Sequence, residues 1–225
     1  CQMPAANADC EGVCLDGFEI VNAECVAECS HEETRNMDGD CEVPELDMHL
    51  LPEDMDVPEQ DMGMQEADMI IESLDSGSKI FACGNGGSMA DSMHFCEELS
   101  GKFRRDRKGL AAISISDPCY LTCVANDYGY ENVFSRFLES NANRGDILFA
   151  ISTSGSSLNI LNAASYAKQN SINVISLTGK VNSELSKDSD IDICTPFGNY
   201  SDRVQELHIK VIHILVEIIE RYFFP

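Results

Sequence analysis

Lys79-Ile80-Phe81-Ala82-Cys83-Gly84-Asn85-Gly86-Gly87-Ser88 reads as a short apolar strand running into a glycine-rich turn, and Met89-Ala90-Asp91-Ser92-Met93-His94-Phe95-Cys96-Glu97-Glu98-Leu99 continues it as a helix. A junction of this kind gathers backbone N–H groups at a helix N-terminus, where an anion or a polyol can sit. One such loop is weak grounds for a site. A second follows, Ile147-Leu148-Phe149-Ala150-Ile151 into Ser152-Thr153-Ser154-Gly155-Ser156-Ser157, and His94 and Glu98 lie one helical turn apart just behind the first.

Outward from these junctions the chain keeps alternating. The runs Lys79 to Cys83, Leu110 to Ile115, Ile147 to Ile151, Ile172 to Leu177 and Ile191 to Cys194 do not alternate polar with apolar residues, which suits strands buried on both faces. Periodic segments at Met89 to Leu99, Glu131 to Asn143, Ser157 to Lys168 and Tyr200 to Phe224 suit helices. Together they predict an α/β fold: three layers, α/β/α, around a central five-stranded parallel sheet. Ligands of such sheets sit beyond the carboxyl ends of the strands, where both loops fall.

Charge divides the chain in two. The net charge is −24, but residues 1–78 hold 22 Asp and Glu against Arg35 alone, whereas residues 79–225 hold 17 acidic and 14 basic residues. So acidic a front part excludes nucleic acid as its partner. No apolar run approaches the roughly 20 residues of a membrane-spanning helix. Cysteines divide at the same place. Cys1, Cys10, Cys14, Cys25, Cys29 and Cys41 crowd the front in a Cys-x3-Cys-x10-Cys-x3-Cys-x11-Cys pattern from Cys10 onward, which reads as a small disulfide-stapled module, with a zinc knot as the weaker reading. Cys83, Cys96, Cys119, Cys123 and Cys194 read as buried small hydrophobes. The chain opens on Cys1, so a trimmed start is expected, with no signal peptide in view. The expected organisation is a Cys-rich acidic segment over 1–43, a proline-containing acidic linker over 44–60 and an α/β domain over 61–225. Asp-Met recurs every seven residues from Asp47 to Met69, yet Pro52 and Pro58 break any helix there. An amphipathic helix is expected from about Asp61 to Gly77, carried by Met62, Met69, Ile70, Ile71 and Leu74.

The loop Ser152 to Ser157 holds more hydroxyl residues than one helix cap requires, which favours a phosphate site over a simply capped helix. His94 and Glu98 share a helix face at i and i+4, a spacing that lets two side chains reach one metal or one substrate. The last helix carries Gln205, Glu206, His208 and His213 in an apolar setting. Core histidines and a metal or acid/base site are both open readings of that segment.

The motifs CGNGGSMADSMHFCEELSGKF, AISISD, CVANDYGYENVFSRF, GDILFAISTSGSSLN, INVISLTGK and SDRVQELHIKVIHILVEIIE cover the chain from about Asp61 to Tyr222. In them the chain resembles the phosphoheptose isomerases, which are sugar isomerase (SIS) domain proteins. The resemblance implies an aldose–ketose isomerase that converts sedoheptulose 7-phosphate to D-glycero-D-manno-heptose 7-phosphate, in the cytoplasm, toward heptose units of surface glycans. It implies substrate contacts from Asn85, Gly86, Gly87, Glu98, Asn126, Asp127, Ser152, Thr153, Ser154, Ser157 and Gln205. It also implies one zinc per subunit on His94, Glu98, Gln205 and His213, Glu98 as catalytic base with His213 as its acid/base partner, and a homotetramer that binds neither nucleic acid nor membrane. Ser156 and Lys102 depart from the family's usual Asn and Arg, and the Cys-rich front replaces the usual long first helix.

Gln205 and His213 are eight residues apart, about 12 Å along a straight helix and about 80° around it. That separation predicts a pocket shared between subunits, the last helix of one chain reaching the His94/Glu98 helix of another. SIS domains also serve as non-catalytic modules that bind a sugar phosphate or a replication initiator. The presence of His94, Glu98, Gln205 and His213 together argues for catalysis instead. A secreted interaction protein led by the front cysteines is a third reading, and it requires oxidised bridges.

Overall fold

The computed structural model describes residues 64–196 and 200–225, together with the backbone of four short strands nearer the front. The chain separates into two units, Cys1–Val57 and Pro58–Pro225. In the first, β1 (Phe18–Val21) pairs antiparallel with β2 (Glu24–Ala27), and β3 (Thr34–Arg35) with β4 (Cys41–Glu42). The expected disulfides or zinc knot of that segment, and the linker after it, lie outside the described residues.

The second unit opens with α1 (Met64–Asp75), then alternates: β5 (Ile80–Cys83), α2 (Gly87–Ser100), β6 (Ala112–Ser114), α3 (Pro118–Tyr128), a 3-10 turn over Tyr130–Asn132, α4 (Val133–Asn141), β7 (Ile147–Ser152), α5 (Leu158–Gln169), β8 (Asn173–Thr178), α6 (Glu184–Asp188), β9 (Ile191–Cys194) and α7 (Ser201–Phe223). The five strands form one parallel sheet in the order β6-β5-β7-β8-β9. All four residues of β5 and all six of β7 are buried, which is why their sequences read as unbroken apolar runs.

Alternate side chains of these strands serve two cores. Ile80, Ala82, Ile147, Phe149 and Ile151 pack under α1, α2 and α7 through Ile70, Phe95, Leu99, Ile212 and Val216. Phe81, Cys83, Leu148 and Ala150 pack under α3 to α6 through Val124, Phe134, Leu138, Ile160, Ala164 and Leu185. The three-layer architecture expected from the sequence is therefore present. Strand order reverses between β5 and β7, so the two loops that leave these neighbouring strands meet at the switch point of the sheet.

Two helices, α3 and α6, were not expected from the sequence. In α3, Asp117 caps the helix by accepting from the Tyr120 N–H at 2.7 Å, and Pro118 starts it. Only Val124 of α3 is buried, so the helix has little of the apolar periodicity that gives others away. For the same reason Cys119 and Cys123 are exposed, and Cys194, at the end of the edge strand β9, is half-buried, a correction to their reading as core residues. Cys83 and Cys96 are buried as expected, and burial raises both thiols, Cys96 to about 12, which keeps them inert. His208 also belongs to the core: it is wholly buried, and burial lowers its pKa to about 4, so it stays neutral.

Candidate active site

The glycine loop is fixed by amides. Asn85 and Asn159 exchange side-chain hydrogen bonds, Asn85 Nδ2 donating to Asn159 Oδ1 at 2.9 Å and Asn159 Nδ2 to Asn85 Oδ1 at 2.8 Å. The Tyr130 hydroxyl also donates to Asn85 Oδ1, at 2.8 Å. Asn159 is buried in the first turn of α5, so this pair ties the β5–α2 loop to the β7–α5 loop. Neither Asn159 nor Tyr130 was singled out from sequence. The pairing joins residues 74 positions apart, which no local pattern reports. Asn159→Leu keeps the volume but removes both amide bonds and the one that Asn159 Oδ1 accepts from the Ile160 N–H; it is expected to lower the Tm by several degrees and to raise KM for a phosphosugar about tenfold, checked by thermal melts and steady-state kinetics.

The serine loop is folded around its own hydroxyls. The Gly155 N–H donates to Ser152 Oγ at 3.1 Å, and the Ser156 N–H to Ser154 Oγ at 3.3 Å. Ser157 occupies the N-cap of α5 but makes no side-chain capping bond. Its hydroxyl is therefore not spent on the helix it precedes, while the Ile160 N–H is already held by Asn159 Oδ1 at 3.0 Å. Asn126 and Asp127 lie exposed at the last turn of α3 and bond to each other at 2.7 Å. No hydrogen bond joins them to either loop among the described residues.

Behind the glycine loop, α2 and α7 run side by side in the same direction. A Cβ on Gly87 would come within 2.5 Å of the Gln205 amide, so Gln205 rests on the first turn of α2. Two turns on, His94 Nε2 lies 3.1 Å from His213 Nε2 and 3.2 Å from Glu98 Oε1, and His213 Nε2 lies 3.8 Å from the same oxygen. His213 thus meets His94 and Glu98 within one chain. This corrects the expectation that a second chain supplies the last helix: parallel neighbours α2 and α7 meet Gln205 and His213 at two levels, so the eight-residue gap between them is matched by the seven from Gly87 to His94.

These three side chains fit a divalent cation. Their donor atoms all lie within 4.8 Å of one another. Tetrahedral zinc with ligands near 2.0 Å places its donors about 3.3 Å apart, and two imidazoles with one carboxylate form a common zinc set that leaves a position open. Among the described residues the buried Glu98 Oε2 has no hydrogen-bond partner, an orphan that a cation would satisfy. Asp91, one turn before His94, is raised to about 6 by burial, with His94 pulling the other way.

A model of the SIS domain matches residues 55–179. The phosphoheptose isomerase of Cytophaga hutchinsonii is 54% identical over 149 residues, 66% of this chain and 78% of that one. That of Tolumonas auensis is 53% identical over the same length and shares. The chain belongs to the phosphoheptose isomerase family of SIS-domain proteins. Among solved structures, a phosphoheptose isomerase from Francisella tularensis superposes with a TM-score of 0.68 at 34% identity, and one from Neisseria gonorrhoeae with 0.65 at 36%; each match covers 71% of this chain and 85% of the other. The family model ends at β8, so α7 with Gln205 and His213 rests on the geometry given above.

Proposed function

We propose that this chain isomerises sedoheptulose 7-phosphate and D-glycero-D-manno-heptose 7-phosphate through an enediol, in the cytoplasm, for heptose-containing surface glycans. One observation carries the reading: a carboxylate and two imidazoles converge within 4.8 Å, next to two anion-ready loops on adjacent strands. Moving a carbonyl between C2 and C1 transfers one proton between neighbouring carbons, which needs a base at carbon and an acid at oxygen. Glu98 is the base, and His213 moves protons at the oxygens. Ser152, Thr153, Ser154 and Ser157 hold the phosphate, while Asn85, Gly86, Gly87 and Gln205 line the sugar, joined by Asn126 and Asp127.

His94, Glu98 and His213 would hold one zinc ion; Gln205, which the family resemblance gives as a fourth donor, rests one level away against Gly87 and is kept for the sugar. Such an ion supplies Lewis-acid polarisation of the sugar carbonyl. A non-catalytic SIS module would have no use for this convergence. Residues 61–225 are the isomerase domain, preceded by the 44–60 linker and the 1–43 Cys-rich segment. The enzyme works as a homo-oligomer, a tetramer by family resemblance: Met93 and Ile214, next to His94 and His213, are 48% and 55% exposed, apolar surface of the kind another copy covers.

Incubation with sedoheptulose 7-phosphate tests the proposal. The aldose should form, formation should stop after chelation, and added zinc should restore it. A protein that forms no aldose with zinc supplied would overturn the assignment.

A further inference from the structure

The segment between α2 and β6 contains a buried cation that the reaction does not use. Only 1% of the Arg107 side chain is exposed, and Glu220, its partner on α7, is 5% exposed; Nε donates to Glu220 Oε1 at 2.9 Å. The rest of the guanidinium turns to the end of α2. One Nη donates to the Leu99 carbonyl at 2.7 Å and the other to the Glu98 carbonyl at 2.6 Å. Phe224 covers the group, with its ring centre 5.5 Å from Cζ. A cation belongs at a helix C-terminus, where unpaired carbonyls and the macrodipole favour it. This one is placed where it also fixes the chemistry.

Glu98 is held by its own carbonyl, and Glu220 lies seven residues beyond His213 on α7, about 10 Å along that helix. Arg107 therefore joins the two helices whose side chains must meet, at the backbone of the carboxylate's own residue and two turns from the imidazole. Burying such a pair is expensive in desolvation, and well-packed apolar residues in its place commonly serve stability as well or better. The Glu97 carbonyl beside it is already served by the Gly101 N–H at 2.7 Å, without any charge.

We propose that Arg107, with Glu220, is a positioning residue that sets the spacing between Glu98 and His213. This rests on the reading of His94, Glu98 and His213 as one site. Metal donors need placing to about 0.2 Å, and a group 1 Å out of place can lose about a hundredfold in rate. Arg107→Lys keeps a charge for Glu220, but one ammonium cannot span Glu220 and both carbonyls as the planar fork does. The paired substitution Arg107→Met with Glu220→Met removes both charges and keeps apolar bulk.

Each full-length variant would be melted, crystallised and titrated with cobalt(II), whose visible spectrum reports the ligand set. We expect both variants to stay folded, the 3.8 Å separation of Glu98 Oε1 and His213 Nε2 to change by 0.5 Å or more, about the tolerance of a built site, and the cobalt dissociation constant to rise about 10- to 100-fold. kcat should fall with KM little changed. A folded variant with native spacing and native cobalt affinity overturns the proposal, as does metal loss that only accompanies unfolding in both variants. If the wild type takes up no cobalt, the metal reading fails by itself, and the crystallographic spacing alone decides whether Arg107 positions Glu98.

Discussion

Glu98→Gln is expected to lower kcat about a thousandfold, within the range by which a positioned acid or base accelerates proton transfer, while the protein stays folded and still binds the substrate phosphate. The amide matches the carboxylate in shape but cannot accept the sugar C–H proton. The fold should survive because Glu98 contributes little to it. Oε2 has no hydrogen-bond partner, and Oε1 faces only the two imidazoles at 3.2 and 3.8 Å. An amide is a weaker zinc donor than a carboxylate, so the Tm should hold in the zinc-free protein and fall where zinc is bound. The phosphate loop lies on β7 and α5 and shares no hydrogen bond with Glu98, so titration with a non-reacting heptitol phosphate should give near-native affinity. Solvent deuterium separates chemistry from release: the wild type should wash deuterium into the carbon-bound position, and the variant should not. A Glu98→Gln enzyme turning over within tenfold of the wild type would remove Glu98 from the role of base.

The sheet was legible in the sequence because its inner strands β5, β7 and β8 are buried on both faces, and double burial writes itself as unbroken apolar runs such as Ile147 to Ile151; the edge strands β6 and β9 are only partly covered. His94 and Glu98 were legible because a helix turns i and i+4 to one side. What escaped depended on distance through space. That His213 reaches these two within its own chain follows from α2 and α7 running parallel, a fact of packing that spacing along α7 cannot express. Arithmetic on a straight helix asked Gln205 and His213 to meet one point, whereas they lie against successive levels of a neighbour. α3 escaped because a helix lying largely in solvent needs no apolar stripe. The Asn85–Asn159 pair and the Arg107–Glu220 pair escaped because each joins distant segments through polar atoms, to which hydrophobic periodicity is blind.

The glycines of the first loop should fail in different ways when given a methyl group, and the difference tests the site's construction. At Gly84 a Cβ would press on the main-chain carbonyl of Ser88, in the first turn of α2, and a helix backbone cannot step aside. Gly84→Ala should therefore lose about 3 kcal/mol, at the upper end of what overpacking does, and the Tm should fall by about 10 °C. Activity should be lost even in the cold, since the turn that presents Asn85 and starts α2 is the part deformed. At Gly87 the nearest atoms to the same methyl are the end of the Gln205 side chain, at 2.5 Å, and that side chain can rotate away. Gly87→Ala should keep its Tm within a few degrees yet lose up to about a hundredfold in kcat/KM, because Gln205 no longer sits where it is needed. If Gln205 is the group displaced, Gln205→Ala should show a similar loss, and the double variant should lose little more than either, since both act through one side chain. Additive losses would mean that Gly87 serves the substrate directly, through close approach of its backbone. A Gly84→Ala protein melting within 2 °C of the wild type would mean that the turn has more room than its contact with Ser88 allows.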